Sequence, residues 1–106
     1  MDHWIDVAVA AEFPPGTFRT VDAGGIPIAV FNVDADYYAI EDRCSHEAET
    51  LSYGSLDGLV ITCPRHLAQF SLVSGAVLAP PACEPVATFP VRVRDGVVQV
   101  RDYRFD

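Results

Sequence analysis

Residues 44–66 read CSHEAETLSYGSLDGLVITCPRH, a stretch that begins and ends with the same pair of residue types. Cys44 and His46 stand at one end, and Cys63 and His66 stand at the other. The whole chain has three Cys and three His, so only one of each lies outside this stretch. Thiolates and imidazoles bind metals, and chance rarely produces two such mixed pairs from so small a supply. The stretch therefore predicts a metal site built from two loops, each giving one Cys and one His.

The spacing of these residues favours one class of metal site over another. A structural zinc finger usually pairs Cys with Cys and His with His, about two to four residues apart. Here each loop mixes the two types, and a single residue separates Cys44 from His46. A binuclear iron-sulfur cluster with both thiolates on one iron and both imidazoles on the other needs one of each from each loop. The pattern favours such a cluster, and a structural zinc-binding interaction module remains the alternative from a different class.

The composition is that of one soluble globular domain. The chain has 106 residues, of which 50% are hydrophobic and 21% are charged, a length and balance sufficient for a single core. Its formal net charge of −8 argues against binding to nucleic acid. The apolar runs are far shorter than a membrane span, and the start of the chain, MDHWIDVAVAAEF, is acidic and lacks the basic region of a signal peptide. We expect a cytoplasmic protein.

Short apolar segments separated by turn residues predict an all-β fold. The Asp95-Gly96 pair predicts a type I′ hairpin in which Val91 faces Val100 and Val93 faces Val98. The two Cys/His clusters and a proline-rich stretch, 78–85, are expected in loops at one end of the sheets. The predicted strands are Ile5–Ala10, Thr17–Ala23, Ile26–Val33, Asp36–Glu41, Leu59–Thr62, Gln69–Val73, Val86–Arg94 and Val97–Asp102.

With these residues in view, the chain resembles Rieske 2Fe-2S proteins. The likeness includes the Cys-x-His and Cys-x-x-His pairs, CPRHLAQFSLVSGAV at 63–77, APPACEPVATFPVRV at 79–93 and the final DGVVQV. It implies an antiparallel Rieske-type sandwich over 1–106, with a small loop-built cluster-binding subdomain at about 42–83. It also implies one 2Fe-2S cluster, with Cys44 and Cys63 on one iron, His46 and His66 on the other, and a proline loop at 79–82 that shields it.

The chain departs from many relatives beside the ligand His residues. They carry Gly immediately after each His, whereas this chain has Glu47 and Leu67. Neither change adds or removes a ligand, but Leu67 implies an altered backbone at a crowded turn and Glu47 puts a carboxylate near the cluster. The third cysteine, Cys83, has no partner among the remaining residues and is expected to be a free thiol in a reducing compartment.

The resemblance also separates this chain from the quinol-oxidising Rieske proteins. Those proteins join their two loops by a disulfide, whereas Glu49 and Arg65 stand at the matching positions here. They also donate hydrogen bonds to the cluster from a Ser and a Tyr, whereas this chain has Ala68 and Phe70. Without these donors the reduced state is less stable, so we expect a low potential, near about −150 mV at the bottom of the Rieske range.

The length and the absent motifs restrict the function further. No residues remain for the large catalytic domain of a Rieske oxygenase, and no dinucleotide fingerprint is present. The most similar family is the small Rieske ferredoxin of aromatic-ring-hydroxylating dioxygenases. By that resemblance the chain is a monomeric electron carrier, not an enzyme, that links a flavin-containing ferredoxin reductase to a terminal Rieske oxygenase. A Rieske-like small subunit of an assimilatory nitrite reductase is the alternative within the same fold.

Overall fold

The computed structural model describes residues 4–43, 50–64, 68–80 and 84–102. Their regular structure is almost entirely β, with short 3-10 helices at Ala10–Glu12 and Leu51–Tyr53. The strands are β1 Trp4–Val9, β2 Phe18–Ala23, β3 Ile26–Val33, β4 Asp36–Glu41, β5 Ser55–Asp57, β6 Val60–Thr62, β7 Gln69–Ser71, β8 Val77–Ala79, β9 Thr88–Phe89, β10 Val91–Arg94 and β11 Val97–Arg101. None of the described segments is a helix with the length and hydropathy needed to span a membrane.

The described strands form three antiparallel sheets, which confirms the predicted fold class. A three-stranded sheet has the order β1-β11-β10, and a four-stranded sheet has the order β2-β3-β4-β9. We call these two the base sheets. The third sheet is a meander in the order β5-β6-β7-β8, and its strands begin only after the first predicted ligand loop.

Strand β3 lies between two hydrophobic cores because both of its faces are buried. Ile28 and Val30 pack on one face with Val98 and Val100 of β11, in what we call the base core. Ala29 and Phe31 point the other way, into what we call the site-side core. Its buried members are Ala29, Phe31, Ile40, Leu51, Ile61, Cys63, Ala68, Phe70, Leu72 and Val86. This double burial explains the apolar run IPIAVF at 26–31 of β3.

Turn chemistry sets the predicted hairpins. Asp95 and Gly96 both have positive φ, 52° and 77°, as a type I′ turn requires. The register pairs Val91 with Val100 and Val93 with Val98, as predicted. Between β3 and β4 the chain turns at residues 34–35 with positive φ although neither is Gly, and the buried side chain of Asn32 accepts a hydrogen bond there from the Ala35 N–H at 2.9 Å.

Several predicted boundaries were wrong. The long strand predicted over 86–94 is broken into β9 and β10, because Pro90 has no N–H for a continuous ladder. β7 ends at Ser71 instead of Val73, since the chain turns at residues 72–74. Gly75, with φ of 76°, closes this turn by donating its N–H to the Ser71 carbonyl at 2.8 Å. Strands β5 and β8 were not predicted, because their three-residue length gives too little alternation for a sequence pattern to detect.

Candidate metal centre

The second predicted ligand loop is the tip of the β6–β7 hairpin. Thr62 pairs with Gln69 at the end of the ladder, and the Cys63 N–H donates to the Ala68 carbonyl at 2.7 Å. This last bond joins the two residues that flank the segment 64–67, which in sequence contains His66. Antiparallel pairing on both sides therefore fixes where the loop leaves and re-enters the sheet.

Cys63 is buried inside the protein, and its surroundings are apolar. Its side chain is fully buried, at 0% exposure, and forms no disulfide. It belongs to the site-side core together with Ala68 and Phe70, both of which are also fully buried. A ligand thiolate at this position would be shielded from water by side chains that carry no hydroxyl group.

The first predicted ligand loop is held at its two ends by a buried carboxylate. Asp42 follows β4 directly and is 3% exposed, and Ser52 in the 3-10 helix Leu51–Tyr53 is 6% exposed. The Ser52 N–H donates to Asp42 Oδ1 at 2.6 Å, and the Ser52 hydroxyl donates to Asp42 Oδ2 at 2.6 Å. The residues between them in sequence include Cys44 and His46.

A glycine allows the two loops to approach each other. Gly54, which ends the 3-10 helix after Ser52, lies so close to β6 that an added Cβ would sit 1.8 Å from the Thr62 carbonyl oxygen. Its φ is −81°, a value that any residue tolerates, so close approach and not backbone conformation requires glycine here. Thr62 immediately precedes Cys63, so this contact joins the end of the first loop to the start of the second.

The proline stretch is attached to the same region at Gly75. The Val86 N–H donates to the Gly75 carbonyl at 3.0 Å, and a Cβ on Gly75 would lie 2.1 Å from the Val86 carbonyl oxygen. Pro80 and Pro85 are exposed, whereas Val86 is buried in the site-side core. The third loop thus leaves β8 and returns through the same core that encloses Cys63.

Only one of the four predicted ligands lies within the described residues. Cys63 is buried at the predicted loop, whereas Cys44, His46 and His66 lie outside the described ranges. Glu47, Leu67 and Cys83, flagged as departures or as an unpaired thiol, also lie outside those ranges. Among the residues that are described, no group of three or more His, Cys, Asp or Glu is placed to hold a metal.

The donor set and the surroundings of Cys63 fit a Rieske cluster. Two thiols and two imidazoles are the ligands that such a cluster takes, and the sequence offers one of each on each loop. Cys63, the predicted ligand that the structure describes, is a free thiol in an apolar, water-excluding core. A buried free Cys is also common as a small hydrophobic residue. The interpretation of Cys63 as a metal ligand therefore depends on the other Cys and His residues of the two loops.

The sequence did not predict the residues that hold the ends of the first ligand loop. Asp42, Ser52 and Gly54 are ordinary residues in a turn-rich stretch, and no single-sequence pattern marks them as partners. The one available signal was a carboxylate placed between a strand end and the first Cys. Tyr53, the last residue of the 3-10 helix after the first loop, is 78% exposed, so its ring does not lie in the site-side core.

Comparisons with known proteins agree with the fold and the donor set. The family model described as "Rieske [2Fe-2S] domain" matches residues 3–90. The chain is 41% identical over 98 residues to Ferredoxin CarAc of Metapseudomonas resinovorans, covering 92% of each chain. It is 40% identical over 90 residues to the biphenyl dioxygenase ferredoxin subunit of Pseudomonas sp. strain KKS102, covering 84% of this chain and 83% of that one.

A solved structure is similar over nearly the same length. A chain from the complex of reduced oxygenase and oxidized ferredoxin in carbazole 1,9a-dioxygenase superposes with a TM-score of 0.88 at 40% identity, covering 93% of each chain. Both named relatives are ferredoxins, which favours an electron carrier over a nitrite reductase subunit, and the family model favours a 2Fe-2S cluster over zinc. The chain therefore belongs to the Rieske 2Fe-2S family and, within it, to the small ferredoxins, which carry electrons and are not themselves catalytic.

Proposed function

We propose that this ferredoxin passes single electrons from a flavin-containing NAD(P)H-dependent ferredoxin reductase to a terminal aromatic-ring-hydroxylating oxygenase. The observation that carries the proposal is the 0.88 TM-score, over 93% of both chains, to a chain from a complex of a ferredoxin with its oxygenase. A second named relative serves biphenyl dioxygenase. Aromatic dioxygenase systems are thus the common setting, and the aromatic substrate is selected by the oxygenase.

We assign Cys44 and Cys63 as ligands of one iron, and His46 and His66 as ligands of the other. The support is the donor set at matched loop spacing and the burial of Cys63. When bound, the 2Fe-2S cluster supplies a one-electron redox couple near the bottom of the Rieske range, at roughly −150 mV. The protein's part is to hold the Cys63 thiolate in an apolar core that excludes water.

We further propose that the chain works as a single domain over 1–106, with the cluster-binding part at about 42–83. The supporting observation is that the meander β5-β6-β7-β8 falls entirely within that range, whereas the base sheets use strands on both sides of it. The cluster-binding part is thus an insertion between β4 and β9. Strand pairing on either side of the insertion anchors it to the base, because β4 pairs with β9.

The charge and the thiols suggest how and where the carrier works. A net charge of −8 favours brief electrostatic docking to basic partner surfaces, as suits a monomeric shuttle. Free thiols and a supply of reduced nicotinamide both belong to a reducing compartment, so we place the protein in the cytoplasm.

Reconstitution of electron transfer tests this function. The purified ferredoxin would be mixed with a ferredoxin reductase, NADH and the terminal oxygenase of an aromatic dioxygenase system, and hydroxylated product would be measured. We expect product formation to depend on the ferredoxin and to be lost in a Cys63→Ala variant. Product at the same rate without the ferredoxin would contradict the proposed role.

A further inference from the structure

We propose that Asp42 and Ser52 are positioning residues that set the first ligand loop before a cluster binds. This inference rests on the proposed function, because it assumes that Cys44 and His46 are ligands. Neither Asp42 nor Ser52 is itself a ligand in that assignment. Their part is to fix the two ends of the segment that carries those ligands.

The contacts of Asp42 make it the junction between the base and the first loop. Its backbone N–H donates to the Pro27 carbonyl of β3 at 2.8 Å, so its main chain is attached to a base sheet. Its carboxylate accepts both the N–H and the hydroxyl of Ser52, each at 2.6 Å. One residue therefore ties the end of β4 to the far end of the loop.

The burial of this pair argues for a positional role. A carboxylate at 3% exposure is costly to remove from water unless its oxygens are well satisfied. Both oxygens of Asp42 accept short hydrogen bonds, which are the stronger, charge-assisted kind. A pair of apolar side chains would fill the same space with a smaller desolvation penalty. What Asp42 and Ser52 provide beyond packing is therefore a set of directional hydrogen bonds.

The link continues to the second ligand loop. Gly54 lies two residues after Ser52 and fits against the Thr62 carbonyl so closely that even a Cβ would collide with it. The next residue, Cys63, is the buried thiol of the second loop. Asp42 is thus hydrogen-bonded to Ser52, and Gly54, two residues further along the chain, packs against Thr62, the residue before Cys63. Together these contacts fix the separation of the loop ends.

Contacts that hold the loop ends together lower the entropic cost of binding a cluster. A segment whose ends are already joined has lost its loop-closure entropy before the metal arrives. Groups that orient metal ligands without touching the metal commonly change metal affinity by about tenfold to a hundredfold. We therefore expect the Asp42–Ser52 pair to act on how long the protein retains its cluster.

The test is the rate at which purified holoprotein loses its visible absorbance and iron to excess chelator. We expect Ser52→Ala, which removes the hydroxyl donor to Oδ2, to release iron about tenfold faster than the wild type. Ser52→Thr keeps a hydroxyl and should restore slow release. Asp42→Ala should be purified with less iron per chain, and Ser52→Ala remains informative if that variant does not fold.

Two controls separate positioning from general stability. Asp22→Ala removes a carboxylate that accepts a backbone N–H at 2.6 Å in an exposed turn, and it should release iron at the wild-type rate. Ile28→Val lowers stability in the base core and should also leave the release rate unchanged. The inference is overturned if Ser52→Ala matches the wild type, if Ser52→Thr releases iron as fast as Ser52→Ala, or if Ile28→Val speeds release equally. A wild-type protein with no cluster would instead overturn the proposed function.

Discussion

At the scale of single residues, the side chains next to Cys63 decide how readily the centre accepts an electron. Ala68 and Phe70 share its buried core and offer no hydroxyl group. Hydrogen bonds to cluster sulfurs stabilise the reduced form, so we expect their absence to keep the potential low.

We predict that Ala68→Ser combined with Phe70→Tyr raises the reduction potential by tens of millivolts. Each change supplies a hydroxyl donor in the core that contains Cys63. Protein-film voltammetry measures the shift. Phe89→Tyr is the matched control, because Phe89 is equally apolar but lies in the base core. A double variant with no positive shift would remove this explanation of the low potential.

We predict that His46→Cys or His66→Cys still binds iron but lowers the potential by about 100 mV, because a thiolate donates more negative charge than an imidazole. Iron content and voltammetry on the same samples measure both effects. Potentials unchanged by either substitution would refute the assignment of these two His residues as ligands.

At the scale of elements, close contacts of backbone control how the ligand loops are joined. Gly54 and Gly75 each lie where a Cβ would meet a carbonyl oxygen of another segment, at 1.8 and 2.1 Å. These contacts fasten the 3-10 helix to β6 and the proline stretch to the turn before β8. The segments that lead into the predicted ligand loops are therefore held in place by these backbone contacts.

We predict that Gly54→Ala lowers the free energy of unfolding by about 1 to 3 kcal/mol, because the added methyl forces Gly54 and Thr62 apart. It should also reduce the iron bound per chain. Urea titration and an iron assay measure the two effects. Gly16→Ala is the comparison, since nothing lies near its Cβ although its φ is +84°. It should lose stability without losing iron, and equal iron loss in both variants would contradict the role of the Gly54 contact.

The elements also show what the sequence can and cannot predict. The β10–β11 register followed from the Asp95-Gly96 turn and alternating valines, because both signals are local. The 2Fe-2S cluster was predictable because its donor types are rare and clustered, whereas the assignment of its four ligands stays a prediction. The Asp42–Ser52 pair was not, since it depends on two segments meeting across a loop. Likewise β5 and β8 are fixed by pairing with β6 and β7 instead of by their own pattern.

At the scale of the whole molecule, the two hydrophobic cores join different sets of sheets. The base core joins the two base sheets, and the site-side core joins the inner face of β3 and β4 to the inserted meander. The meander is thus built on a face of β3 and β4 that is already anchored on its other side. Destabilising the base core should therefore affect folding more than cluster retention.

We predict that the second-order rate of electron transfer from the reductase falls at least about threefold as salt rises from about 0.05 to about 0.5 M. The net charge of −8 would steer the ferredoxin toward a basic partner surface, and salt screens that attraction. Stopped-flow reduction by the reductase at each salt concentration measures it. A rate independent of salt would show that the acidic balance serves solubility alone.

The most direct test of the whole account is an absorption and EPR spectrum of the purified protein before and after dithionite, with iron and acid-labile sulfide assayed on the same sample. We predict a reddish-brown oxidised protein with equal iron and sulfide, and a rhombic EPR signal on reduction. Its average g value should lie below that of all-cysteine clusters, because two imidazoles ligate one iron. A colourless protein that contains zinc would contradict the account.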